Sequence, residues 1–267
     1  MSELIISGLP EKIRSIIRGK TYTAENTGMS GSGVYISDDT VLKIEPYTDK
    51  TAETVGIMRW LNGKLPVPEV KEHCISGGKS YLLMSKVSGK MSCDEYYLER
   101  PDELLTLVAE GLKMLWSIDI SDCPRVRDVD TELSEARVRV ENSLVDTTKL
   151  RPHSRGKNAS GDPDALLEWL ENNRPSYEPV LSHGDYCLPN IFLDNGRVSG
   201  FIDLGDCGIG DKWRDIALCW RSLKNNTDGT FGGKVYPGFN ADILFEKLGV
   251  VPDHEKLKYY LLLDELF

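Results

Sequence analysis

Apolar residues fall into short β-like runs in the first third of this chain and into helical stripes after it. Leu9 to Arg18 places Ile13, Ile16 and Ile17 on one side of a short helix. Thr21 to Thr23 starts a strand, Val34 to Ile36 and Thr40 to Ile44 make two more, and Ser80 to Met84 is a buried one. A helix over 51–62 carries Ile57, Trp60 and Leu61 on its apolar side and stops at Asn62-Gly63. Ser85 to Gly89 breaks the pattern. Beyond it, Pro101 to Ile118 has proline at its start and leucines at helical spacing. Further helices are expected over 130–143, from Asp162-Pro163 through Leu170, from an Asp211 N-cap to about Lys224, and over about 240–248 and 253–264. Residues 149–161 and 225–238 read as loops. One β feature interrupts the helices: Ile191-Phe192-Leu193 and Val198 to Ile202 flank Asn195-Gly196, the pair best suited to a two-residue hairpin turn, where both residues need positive φ.

The 267 residues carry a formal charge of -10, which argues against a broad nucleic-acid surface and permits a cationic small molecule. Six cysteines without a C-x-x-C pair and a polar N-terminus broken by Gly8 and Pro10 point to reduced thiols and a cytoplasmic protein. No apolar run approaches the ~18 residues of a membrane helix.

The hairpin is where chemistry concentrates. Folding about Asn195-Gly196 brings Asn190 and Asp203 to its open end, and Asp185 lies on the loop that feeds that end. Two carboxylates and an amide oxygen are hard ligands, suited to Mg²⁺ held together with substrate phosphates. Singly, each is an ordinary turn former. Upstream, the Gly/Ser loop 26–33 between strands suits phosphate binding or a plain hairpin tip, and Lys43 sits in an apolar strand after it. There is no G-x-x-x-x-G-K-[ST] phosphate loop.

His183-Gly184-Asp185 and Asn190, followed by Asp203-Leu204-Gly205, have the spacing of the kinase H-R-D-x-x-x-x-N and D-F-G motifs. In this variant form they resemble the aminoglycoside phosphotransferases, more narrowly the 3′-phosphotransferase branch; Leu65-Pro66-Val67-Pro68, Ser117 to Pro124 and the terminal Leu263 to Phe267 are similar to that branch too. The resemblance implies an α+β, two-lobed protein-kinase-like fold: a small, mainly antiparallel β N-lobe (1–84), a hinge (85–91) and a larger, mainly helical C-lobe (92–267). It implies Asp185 as catalytic base, Asn190 and Asp203 as Mg²⁺ ligands, Lys43 on the α/β-phosphates with Glu53 holding it, and Ser30 as a phosphate donor. Met84 would border the adenine pocket, and backbone groups of Ser85 and Val87 would meet the base edge; ATP is expected, with GTP open. Asp264, Glu265 and the Phe267 carboxylate would bind substrate ammonium groups, with Arg221 and Asp206 also on the substrate side. Asp215 would steady the catalytic loop. The implied partners are a nucleotide and an aminoglycoside, with no nucleic acid or membrane, for a monomer or weak dimer.

Several positions depart from the branch. Its acid stands six residues before the tryptophan of Trp-Leu, whereas Glu53 stands seven before Trp60, a rotation of about 100° on a helix. Arg151, His153, Arg155 and Lys157 replace acids, Asn225 and Asn226 follow Arg221-Ser222 where acids can occur, and Asp206 is acidic where a relative is basic. Two other readings stay open: a kinase of another small hydroxylated molecule, and a nucleotide-binding pseudokinase that serves as an interaction module. A zinc hydrolase using His183 and Cys187 lacks further ligands at metal-site spacing.

Overall fold

The computed structural model describes residues 8–25, 33–149 and 162–267. After α1 (Glu11–Ile17) come β1 (Thr23–Glu25), β2 (Gly33–Ile36), β3 (Thr40–Pro46), α2 (Asp49–Leu61), β4 (Val70–Ser76) and β5 (Lys79–Ser85). The five strands form one antiparallel sheet in the order β1-β2-β3-β5-β4. Strand side chains alternate between faces, and here the two faces receive different helices. On one, Leu42, Tyr81 and Leu83 close a small core with Ile13 and Ile17 of α1. On the other, Leu82 joins the main core together with Val55, Ile57, Met58 and Leu61 of α2.

α2 starts at a capping box in which Thr48 and Thr51 bond each other's backbone N–H, two residues ahead of the expected start. β1 lies slightly later than the expected strand. β4 has no counterpart in the sequence reading: Val-Lys-Glu-His-Cys-Ile-Ser shows little apolar alternation, and it is held by its register with β5 instead.

From Ser85 the chain crosses to the helical part. There follow β6 (Lys90–Met91), α3 (Glu95–Leu98), α4 (Pro101–Trp116), α5 (Val129–Glu141), α6 (Pro163–Asn172), β7 (Pro179–Ser182), β8 (Ile191–Asp194), β9 (Arg197–Phe201), β10 (Gly208–Asp211), α7 (Lys212–Thr227), α8 (Ile243–Leu248) and α9 (His254–Asp264). α4 is the central helix. Leu104, Leu105, Val108, Leu112 and Leu115 are buried, each contributing roughly 1.5–3 kcal/mol. α7 runs through Thr227, past the expected Lys224, and keeps Thr227 buried. β6, β7, β10 and α3, too short to show a period in sequence, are set by tertiary pairing.

Two small sheets hold the functional loop. β10 pairs with β7, and β8 pairs with β6 and β9. The β8–β9 turn is Asn195-Gly196, both at positive φ as its sequence requires. Among the described residues no helix is long and apolar enough to cross a membrane.

Candidate active site

The loop between β7 and β8 carries Asp185 and ends in a single 3-10 turn, Leu188–Asn190. The β8–β9 ladder extends one step past its strands, because Ile202 N–H donates to the Asn190 carbonyl at 3.0 Å. That bond sets Asn190 level with the residue before Asp203. The Asn190 side-chain amide then reaches back, donating from Nδ2 to the Asp185 carbonyl (2.9 Å) and to its carboxylate Oδ2 (2.8 Å). With Nδ2 committed, Oδ1 is the amide atom left to meet a cation. Asp203 is exposed and sits in the left-handed region (φ 56, ψ 57), an uncommon conformation for a non-glycine residue that tends to occur at functional sites. Asp185, Asn190 and Asp203 are thus brought together from three chain positions, as their spacing predicts.

The residues fit a magnesium ion. An amide oxygen and an exposed carboxylate are hard donors, and Mg²⁺ usually takes few protein ligands, the rest coming from phosphate and water. Among the described residues no group of three or more His, Cys, Asp and Glu could hold a metal ion by itself.

A buried framework fixes the loop. Asp215, in the first turn of α7, is fully buried and accepts the N–H groups of His183 (2.8 Å) and Gly184 (2.9 Å). Burial raises its carboxyl pKa, while His183 and these N–H bonds pull it down. The His183 ring lies between Ile202 O, 2.9 Å from Nε2, and Asp185 N–H, 3.3 Å from Nδ1. These partners require Nε2 to carry the proton and leave Nδ1 as acceptor. His183 therefore ties the Asp185 loop to the strand leading to Asp203 and has no ring nitrogen left for proton transfer. Gly184 has φ +81, and a Cβ there would stand 2.2 Å from the Asp206 carbonyl. Only glycine allows this close approach at this φ.

Lys43 lies on β3 opposite Leu82, on the face shared with α2. It pairs with Glu45 at 3.2 Å. Glu53, expected to hold Lys43, turns instead to Arg125, with Nε to Oε2 at 3.4 Å. The extra residue between Glu53 and Trp60 rotates its side chain around the helix, away from the strand lysine. Asp206, expected on the substrate side, is also reassigned. Its carboxylate binds Lys50 of α2 (2.7 Å) and buried Arg127 (2.9 Å), and these cations hold its pKa down against burial. Ser30 lies outside the described residues.

At the end of β5, Met84 is half-buried opposite Val41. The Ser85 N–H donates to the Glu69 carbonyl at 2.9 Å, so of its two backbone groups the carbonyl is the one left to meet a ligand. The Val87 side chain packs on Gly200, where any Cβ would come within 2.3 Å of it.

Of the residues expected to meet the acceptor, Asp264 and Arg221 come together as an ion pair at 2.5 Å, with Arg214 at 3.9 Å from the same carboxylate. Glu265 caps α9. The Phe267 backbone oxygen accepts from Arg139 Nη2 at 2.8 Å, and the guanidinium lies over the Phe267 ring.

Sequence reasoning missed a buried ionic cluster beneath the Asp185 loop. Arg214 donates from Nε to the Gly184 carbonyl (3.1 Å) and stands 2.7 Å from Glu132 Oε1. Burial pushes the Glu132 carboxyl up to about 7, with Arg214 and Arg127 opposing it. Arg127 in turn links Asp206 to Glu135. Arg214 adjoins the recognised Asp215, but nothing in an Arg-Asp dipeptide says that both side chains are buried.

The chain is similar to known proteins over most of its length. Residues 22–258 match the family described as phosphotransferase enzyme family. An aminoglycoside 3′-phosphotransferase of Enterococcus faecalis is 42% identical over 214 residues, covering 79% of this chain and 76% of that protein. One of Niallia circulans is 32% identical over 266 residues, covering 97% of both. The crystal structure of an aminoglycoside-3′-phosphotransferase of type VIII superposes with a TM-score of 0.81 at 26% identity, covering 96% of this chain and 97% of that one. The two-lobed α+β arrangement seen here is therefore the kinase-like fold of these enzymes, and the chain belongs to the phosphotransferase family as a kinase of the aminoglycoside 3′-phosphotransferase branch.

Proposed function

We propose that the protein transfers the γ-phosphoryl group of ATP to the 3′-hydroxyl of an aminoglycoside, as a Mg²⁺-dependent resistance enzyme. The observation that carries the reading is the contact of the Asn190 amide with the Asp185 backbone carbonyl and carboxylate Oδ2, beside an exposed Asp203. In this reading Asp185 orients the acceptor hydroxyl and takes its proton, and Lys43 meets the α/β-phosphates. Asn190 and Asp203 hold the metal ion, which when bound neutralises phosphate charge. Phosphoryl transfer asks for positioning and electrostatics rather than covalent chemistry from the protein. Residues 85–91 form the hinge; beside Met84, the Ser85 carbonyl and Val87 N–H meet the base. The enzyme works as a monomer or weak dimer in the cytoplasm.

Asp264, Glu265 and the backbone oxygen of Phe267 bind ammonium groups of the acceptor. One observation favours a second reading, a different small hydroxylated acceptor: Asp264 is already neutralised by Arg221 at 2.5 Å. An assay of ADP release with ATP, Mg²⁺ and a kanamycin and neomycin panel separates the two. Steady, acceptor-dependent release is expected. Release with none of the panel, but with another hydroxylated compound, would overturn the aminoglycoside assignment and leave the kinase.

A further inference from the structure

In protein kinases the phosphate-binding lysine must be held by a glutamate from the neighbouring helix. This chain has both parts but does not connect them. Glu53 of α2 is bound to Arg125 at 3.4 Å. Its helical neighbour Thr54 donates its hydroxyl to the Lys50 carbonyl at 2.8 Å. Lys43 is met from its own strand instead: Glu45 is two residues on, so its side chain emerges on the same face of β3, and its Oε2 lies 3.2 Å from Lys43 Nζ. Both side chains are about one-quarter exposed, at 25% and 21%, so their attraction is screened less than that of a surface pair.

We propose that Glu45 is the positioning residue for Lys43, and that Glu53 has been released from that task to fasten α2 to the helical lobe. The second half follows from where α2 points. Lys50 and Glu53 are one helical turn apart and both reach across, Lys50 to Asp206 at 2.7 Å and Glu53 to Arg125. A lysine set by its own strand keeps its aim whether or not α2 moves. The inference deepens the kinase reading and rests on it.

The test compares steady-state kinetics of the full-length wild type, Glu45→Gln, Glu45→Asp, Glu53→Gln and Lys43→Met, with thermal melting of each as a check on folding. Glu45→Gln is expected to raise KM for ATP about tenfold, which corresponds to about 1.4 kcal/mol, with KM for the acceptor unchanged. Glu45→Asp restores part of that loss, and Glu45→Gln adds little in a Lys43→Met background. Glu53→Gln is expected to leave KM for ATP near wild type and to lower the melting temperature. If Glu53→Gln raises KM for ATP while Glu45→Gln does not, the proposal is overturned and the kinase reading stands. If Lys43→Met leaves ATP use unaltered, the lysine's assigned role fails and the proposal falls with it. If wild type shows no ATP turnover with any acceptor, the kinase reading itself fails.

Discussion

Replacing Asp185 with alanine is expected to lower kcat by about 10²–10⁴-fold, the range for losing a positioned general base, while leaving ATP affinity nearly intact. The separation follows from how Asn190 is held. Asn190 Nδ2 bonds the Asp185 carboxylate at 2.8 Å, but also the Asp185 backbone carbonyl at 2.9 Å. The second bond survives the substitution, so Asn190 stays at the end of β8 with its oxygen still available. Asp203→Ala is expected to do the reverse, abolishing the Mg²⁺-dependent thermal shift with ATP, because the next carboxylate after β9, Asp206, is held by Lys50 and Arg127. Steady-state kinetics and a nucleotide thermal shift on both variants check the pair. Small and equal losses from both would show that the roles are misassigned.

Asp215→Ala is expected to destabilise the protein by roughly 2–4 kcal/mol, since it strands one buried backbone N–H at about 1–3 kcal/mol and takes one of two acceptors from a second, at about 1 kcal/mol. The stranded group is the His183 N–H, 2.8 Å from the carboxylate; the second is the Gly184 N–H, 2.9 Å from it and 3.1 Å from Ser182 Oγ. Few single substitutions remove as much from a total of about 5–15 kcal/mol. Asp215→Asn, which keeps one acceptor oxygen, is expected to fall between. Urea unfolding measures both. A loss below about 1 kcal/mol for the alanine variant, the worth of one ordinary hydrogen bond, would show that the loop is held mainly by the His183 and Arg214 contacts.

The parts of this molecule legible in its sequence are those governed by local chemistry. Asn195-Gly196 announced its turn because only a few residue types tolerate two successive positive φ values, and both have them. The proline and leucine spacing of α4 was equally direct. The juxtaposition of Asp185, Asn190 and Asp203 followed from that turn and a strand length. What depends on side-chain direction was not legible. Glu53 and Asp206 are acids near the site in sequence, yet their carboxylates point to Arg125, Lys50 and Arg127. Glu45, unremarkable in Ile-Glu-Pro, meets Lys43. The Glu132–Arg214 pair joins residues far apart in the chain and acquires meaning only once α5 and α7 enclose it. The same holds for β4, β7 and β10, which exist through their partners.

The central claim is that the oxygens flanking the β8–β9 hairpin hold a metal-bound triphosphate. A crystal structure with Mg²⁺ and a non-hydrolysable ATP analogue tests it most directly. The account predicts Asn190 Oδ1 and the Asp203 carboxylate on the ion, Lys43 on the α/β-phosphates, and the Asp185 carboxylate facing the γ-phosphate from the acceptor side. An ion and nucleotide bound elsewhere, with Asn190 and Asp203 turned apart, would contradict it.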